Sequence, residues 1–210
     1  MSLADLRTDY RLSELHEAHV DADPLTQFRG WFDAAVAAGV PEPNAMTLAT
    51  LGSDGYPATR VVLLKGVSDR GLSFFTNYES QKGRQLADNP RASATFLWKE
   101  VQRQVSVQGD VERLPLAESD EYFASRPRGS QLGAWASKQS EPATGRAELD
   151  ARLAEVEARY PGVVPRPPHW GGYLLVPTRV ELWQGRTNRM HDRLVYTRAA
   201  EGWVVSRLFP

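Results

Sequence analysis

The chain has 210 residues, 26 acidic and 25 basic, and no cysteine. A net charge of −1 argues against bulk attraction to nucleic acid or anionic lipid, and the missing cysteine excludes disulfides, thiolate metal sites and a cysteine nucleophile. The length suits one domain burying roughly 70% of its unfolded surface, while no apolar run nears the ~18–20 residues of a membrane span and no signal-like segment opens the chain, so a cytoplasmic setting is expected.

Residues 1–22 are polar and weakly periodic and read as a flexible arm; residues 23–210 read as one domain. Asp23-Pro24 opens a helix with Leu25, Phe28, Trp31, Phe32 and Ala35 on one face and Gly39 as its stop. From Ala45 the period changes to two. Ala45–Leu51, Ala58–Gly66, Leu72–Thr76, Ala92–Trp98 and Arg103–Leu114 are strand-like, with turns at Gly52–Gly55 and Ser68–Gly71 joining the first three as hairpins. Ser80 caps a short helix ending at Asn89-Pro90. Pro115 begins another through Ser125, Arg128-Gly129-Ser130 turns sharply, and Glu148–Tyr160 makes an amphipathic third. Strands over Trp170–Val176, Arg179–Gln184, Leu194–Thr197 and Trp203–Arg207 close the chain. Many consecutive antiparallel strands with helices at hairpin ends predict an α+β domain on an antiparallel β-barrel.

Several groups of side chains could do chemistry. On an extended strand Arg189, His191 and Arg193 would share a face, which fits either a solvated basic edge or a site for an anion or electron-rich ring. Arg60–Lys65 is an apolar strand with a cation at each end, the five-residue spacing placing them on opposite faces. Lys82 sits in the first turn of the Ser80-capped helix, where a cation opposes the dipole unless an anion is bound or the side chain faces solvent. Tyr122 and Arg126, four apart, share a helix face close to Ser130 and could meet a phosphate. Gln104, Ser106 and Gln108 form the polar face of an alternating strand, and an amide there suits a heterocycle edge. Only four basic residues are lysine (Lys65, Lys82, Lys99, Lys138), and the arginine-rich remainder suits phosphate and carboxylate recognition. No glycine-rich phosphate loop, nucleophile elbow or metal-ligand spacing is present. Redox chemistry would therefore need a borrowed electron carrier, and no metal is expected.

In order along the chain, Arg60–Lys65, Phe75-Thr76-Asn77, Asn89-Pro90, Arg103-Gln104-Val105, Tyr122-Phe123 with Arg126-Pro127, and Ser130–Trp135 resemble the pyridoxamine/pyridoxine 5′-phosphate oxidase family. Gln139-Ser140, Trp170–Tyr173, Trp183–Arg186, Arg189–Arg193 and Arg207–Pro210 continue the match, which runs from about Arg7 to Pro210. The resemblance implies a split barrel acting as a homodimer, with FMN between subunits. It implies that Arg60 and Lys82, helped by Thr76, hold the FMN phosphate, that Val61, Val62, Leu63 and Leu64 lie along the flavin, and that Lys65 and Phe75 adjoin it. Gln104, Gln139, Ser140, Trp183 and Arg193 would complete that site, partly from the second subunit. Lys65, Tyr122, Arg126 and Ser130 would clamp the substrate phosphate, Arg189 and His191 would flank the pyridine ring as the catalytic pair, and Arg7 with Tyr10 would close over it. The implied reaction oxidises pyridoxamine or pyridoxine 5′-phosphate to pyridoxal 5′-phosphate, with dioxygen as acceptor and hydrogen peroxide released. Two departures stand out: Gln81 where many relatives carry a base, and Met190 where leucine is commoner. The competing expectation is a flavin- or deazaflavin-binding reductase or flavin-storage protein on the same barrel.

Overall fold

The computed structural model describes residues 2–5 and 9–210. Asp23 accepts the backbone N–H of Thr26 and so caps α1 (Pro24–Ala37), with proline at the first helical position. The buried face of α1 (Leu25, Phe28, Trp31, Ala35) covers the barrel, where Phe28 meets Phe96 at 5.0 Å between ring centres.

Among the described residues nine antiparallel strands follow the sequence periodicity: β1 (Ala45–Leu51), β2 (Pro57–Leu63), β3 (Gly66–Val67), β4 (Leu72–Asn77), β5 (Arg91–Trp98), β6 (Arg103–Arg113), β7 (Trp170–Gln184), β8 (Asp192–Arg198) and β9 (Trp203–Arg207). Their spatial order is β2-β1-β5-β6-β7-β4-β3, with β8 and β9 extending from β7. The two outermost strands of that path, β2 and β3, are joined in sequence by only Leu64 and Lys65. A sheet whose opposite edges are linked by two residues must curl onto itself, and this join closes the barrel. Leu64 N–H donates to Asn44 O on one side of the corner and Lys65 N–H to Ser73 O on the other, both at 2.8 Å. The single strand expected over Ala58–Gly66 is thus two strands on opposite edges. The Ser68–Gly71 turn accordingly joins β3 to β4. Nothing in an unbroken apolar run marks such a corner.

The two strands expected on either side of Pro177 are likewise one, because a register shift at Gln108/Gly109 in β6 accommodates the proline. Arg128-Gly129-Ser130, expected as a sharp turn, is the first turn of α4 (Arg128–Ala136), with Pro127 at its cap. Helices α2 (Gln81–Asp88), α3 (Leu116–Ser125) and α5 (Arg146–Arg159) lie near their expected positions. Ser80 Oγ accepts the Gly83 N–H at the start of α2. Leu15 is buried, its N–H donates to Asp192 at 3.1 Å, and Arg207 Nη2 donates to its carbonyl at 2.8 Å. Tyr196 OH donates to Asp21 O at 2.8 Å. The arm from Leu15 to Asp21 is thereby tied to β8 and β9. Among the described residues no helix is long and apolar enough to cross a membrane.

A Cβ added at Gly109 would stand 1.9 Å from Val176 O and 2.9 Å from Pro177 Cα, both backbone atoms. Gly109→Ala should therefore cost about 1–3 kcal/mol in urea unfolding; an unchanged midpoint would contradict the tight β6–β7 approach at the bulge.

Candidate active site

Between the barrel and helices α3 and α4 lies a cavity of about 580 Å³. One wall is Val61, Val62 and Leu63 of β2, with Lys65 beyond the corner. The opposite wall is aromatic. Phe75 and Tyr122 stack with ring centres 4.0 Å apart, and Trp170 lies 5.6 Å from Phe75 and nearly parallel to it. Tyr122 of α3 and Arg126, the extended residue that ends that helix, both line the cavity, and Ser130 of α4 joins them there.

The charges around this cavity are all of one sign. Lys82 is 7% exposed, and its Nζ reaches only neutral acceptors, Thr76 Oγ1 at 3.3 Å and Gln139 Oε1 at 3.2 Å. Burial, and secondarily the charge of Arg60, hold its pKa below the usual lysine range. Arg60 donates to Thr50 Oγ1 at 2.5 Å and Gln85 Oε1 at 3.3 Å. Arg126 lies 4.6 Å from the Trp170 ring centre, and its buried Nη1 has no hydrogen-bond partner. Lys65 Nζ is 5.9 Å from the Tyr122 ring centre. Among the described residues, none of Arg60, Lys65, Lys82 and Arg126 forms an ion pair. A buried donor left unmet costs ~1–3 kcal/mol, and more when charged. Such an arrangement awaits anions, and its planar aromatic and backbone walls fit flat molecules that carry them. The residues present therefore fit phosphate-bearing aromatic groups. No cluster of described side chains could hold a metal.

The remaining expected residues lie elsewhere. Gln104 pairs with Trp183, and Trp183 with Arg193, so these three form one row across β6, β7 and β8. His191 lies 4.7 Å from Trp183 between ring centres, and Tyr10 edges onto both rings at 5.7 and 5.8 Å. The expected extended run from Arg189 to Arg193 is not formed. Residues Thr187–Arg189 make a single 3-10 turn, with Asn188 and Arg189 at φ of 56° and 60°, and β8 begins only at Asp192. Arg189 instead acts on His191 through its charge. Burial first and Arg189 second hold the His191 pKa below the ordinary histidine value, with Asp192 opposing. The Arg186 backbone N–H donates to His191 Nδ1 at 3.1 Å, so the neutral ring carries its proton on Nε2.

Trp170 on the cavity wall and Trp183 in the row stand at opposite ends of β7. At ~3.3 Å per residue, on the order of 40 Å of strand separates them. Cavity and row therefore lie at opposite ends of one long strand. Of the other expected residues, Leu64 turns into the core, Ser140 (φ 76°) is exposed beside the cavity-lining Gln139, and Arg7 lies outside the described residues. Ser137 also lines the cavity, as do Asn77 and Trp170, which the sequence offered as parts of matching stretches but not as site residues. The Trp170 signal was the aromatic start of a strand beside a proline-rich crossing.

This closed antiparallel sheet with its helix-covered cavity is the split barrel of pyridoxamine-phosphate-oxidase-like proteins. The sequence model described as pyridoxamine 5′-phosphate oxidase matches residues 32–160, and that described as pyridoxine 5′-phosphate oxidase C-terminal dimerisation region matches residues 170–210. The chain belongs to the pyridoxamine 5′-phosphate oxidase family. It is 59% identical over 208 residues to a pyridoxine/pyridoxamine 5′-phosphate oxidase of Thermosynechococcus vestitus, covering 99% of each chain. It is 56% identical over 212 residues to the protein of the same name from Burkholderia cenocepacia, covering 100% of this chain and 99% of the other. Among solved structures, PhzG from Burkholderia lata 383, in complex with tetrahydrophenazine-1-carboxylic acid, superposes with a TM-score of 0.89 at 33% identity, over 95% of this chain and 99% of that one. An FMN-binding relative from Nostoc punctiforme, 19% identical with a TM-score of 0.71 over 87% of this chain and 97% of that one, shares the fold.

Two outcomes follow from this geometry. Excess inorganic phosphate should raise the unfolding midpoint of the flavin-free protein by mass action, and less so in Lys82→Ala; equal rises in the two would refute the anion site. The His191 C2–H resonance should titrate below the ordinary histidine pKa of about 6.5. Because the folded state disfavours the charged ring, this group's contribution to stability is present above that value and declines as pH falls below it. A midpoint at or above the ordinary value would contradict the arrangement.

Proposed function

We propose that the chain works as a homodimer that holds FMN between subunits and oxidises pyridoxamine or pyridoxine 5′-phosphate to pyridoxal 5′-phosphate. The carrying observation is the cavity lined by Lys65, Lys82 and Arg126, with Arg60 close to Lys82, where among the described residues no acid pairs with any of the four cations. Two organophosphates meet that demand. Arg60, Lys82 and Thr76 suit the FMN phosphate, and Lys65, Tyr122, Arg126 and Ser130 suit the phosphate of the substrate. The names of the curated relatives support the same substrates. FMN, when bound, supplies the two-electron acceptor that dioxygen regenerates with release of hydrogen peroxide. The amine substrate also consumes one water and releases ammonia, whereas the alcohol needs neither.

The row of Gln104, Trp183 and Arg193, with Tyr10, Arg189 and His191, completes the site from the second subunit. The family's C-terminal dimerisation region, residues 170–210, includes Trp183, Arg189, His191 and Arg193. The substrate phosphate is remote from the reacting C4′ carbon, so its binding energy can go into orientation. Arg189 is planar and cationic, which suits the face of a pyridine ring. His191, neutral and with Nε2–H outward, donates a hydrogen bond and orients the ring; its Nδ1 is already occupied by Arg186. Tyr10, which packs on Trp183 and His191, closes over the ring from the arm. A reductase or flavin-storage protein would have no use for Lys65, Tyr122, Arg126 and Ser130 around one cavity.

The purified protein should be yellow and should release peroxide when pyridoxamine 5′-phosphate is added. A flavin-loaded protein that is silent with this substrate but turns over a ring carboxylic acid would overturn the reading. Arg189→Ala should lower kcat/KM by about one to two decades, the scale of losing one charged hydrogen-bonding group. Lys82→Ala should purify depleted in flavin, and full retention would displace the FMN phosphate from that position.

A further inference from the structure

We infer that Glu181 is a positioning residue for Arg193: it fixes the guanidinium in the row with Gln104 and Trp183 and offsets its charge there. This rests on the reading of that row as one that meets the flavin. Glu181 is 7% exposed and is the one buried carboxylate among the described residues. Its Oε1 accepts from Arg193 Nε at 2.8 Å and lies 2.7 Å from Arg193 Nη2, while Oε2 accepts from Arg179 Nη2 at 2.9 Å.

Strand register explains the contact. Trp183 lies opposite Arg193 and Glu181 opposite Val195, so Glu181 is the diagonal neighbour of Arg193 on the same face. Arg179, two residues before Glu181 on β7, shares that face and takes the other oxygen. The third nitrogen of the Arg193 guanidinium, Nη1, donates to Phe209 O at 3.0 Å, and Leu208 N–H donates to Arg193 O at 2.9 Å. A guanidinium has five N–H donors. Glu181 and the C-terminal segment therefore engage the side chain at all three nitrogens and leave donors over for an acceptor in the site.

Stability alone does not call for this acid. A buried ion pair can be replaced by apolar side chains of similar volume with little loss or even a gain. An unopposed guanidinium beside the flavin would favour its reduced, more negative form and so work against the return of electrons to dioxygen. A carboxylate in contact with that guanidinium reduces the bias while keeping the donors in place. Arg179 draws part of the Glu181 charge to itself, so the three side chains together keep one net positive charge.

The test uses the intact flavin-loaded protein and reads the midpoint potential by dye equilibration, beside the FMN dissociation constant and the unfolding midpoint. Glu181→Gln keeps an acceptor near Arg193 but removes the charge. It should raise the potential by about 30 mV, the equivalent of a tenfold shift toward two-electron-reduced flavin. Arg193→Ala should move the potential the opposite way and weaken FMN binding. Where Arg193→Ala shifts the potential and Glu181→Gln leaves it unmoved or lowers it, the role given to Glu181 is overturned while the flavin reading of the row stands. Where Arg193→Ala changes neither potential nor FMN affinity, that reading fails and this inference goes with it. Should Glu181→Gln not fold, Arg179→Gln leaves the carboxylate wholly to Arg193 and should lower the potential; an unchanged value would overturn the proposal equally. A purely structural Glu181 would alter the unfolding midpoint alone.

Discussion

The cations around the cavity shape everything else in this molecule. Lys82 is buried with only Thr76 and Gln139 as neutral partners, Arg60 stands near enough to disfavour its charge, and Arg126 keeps a buried nitrogen without an acceptor. A protein could relieve that strain cheaply by placing an aspartate or glutamate nearby. The chain has 26 acids, and among the described residues none pairs with any of these four cations. The unmet demand is a standing preference for anionic ligands, and the aromatic stack of Phe75, Tyr122 and Trp170 gives it a flat boundary.

The fold holds that preference in place through one corner and one strand. The corner at Leu64–Lys65 closes the sheet, turning Leu64 into the core and leaving Lys65 on the cavity wall. The strand is β7, which carries Trp170 at the cavity and Trp183 in the distant row. Its length holds those two sets of residues apart. In the proposed function a second subunit, related by a twofold axis, would bring its row to the first subunit's cavity and receive the same in return. The 3-10 turn at Thr187–Arg189, rather than an extended strand, then orients Arg189 and His191.

Much of this was legible in the residues. The Asp23-Pro24 and Ser80 caps and the alternation in β1, β4, β5 and β6 follow from local rules that the fold obeys, and Tyr122 and Arg126 do meet at one cavity although Arg126 lies just past the end of its helix. Lys82 near a helix start announced itself as an electrostatic misfit. What could not be read depends on distant partners. The corner at Leu64–Lys65 exists because β3 pairs with β4 on the opposite edge, and no local residue encodes it. Pro177 sits inside a strand because a bulge in β6, nearly 70 residues earlier, makes room. The α4 helix was hidden by its opening Arg-Gly-Ser, whose turn-like composition masked the Leu132–Trp135 stretch. Glu181 carries no local signal, because its partner Arg193 lies diagonally across from it on β8.

The central claim is that each site takes its cavity from one subunit and its row from the other. Subunit complementation tests it most directly. Lys82→Ala and Arg193→Ala chains, each crippled alone, are co-expressed and the mixed dimers assayed for pyridoxamine 5′-phosphate oxidation. A twofold-symmetric shared site predicts that every mixed dimer contains one wholly unmutated site, so random mixing should restore about one quarter of the parent activity. Mixed dimers as inactive as either parent variant would show that cavity and row do not meet across the interface.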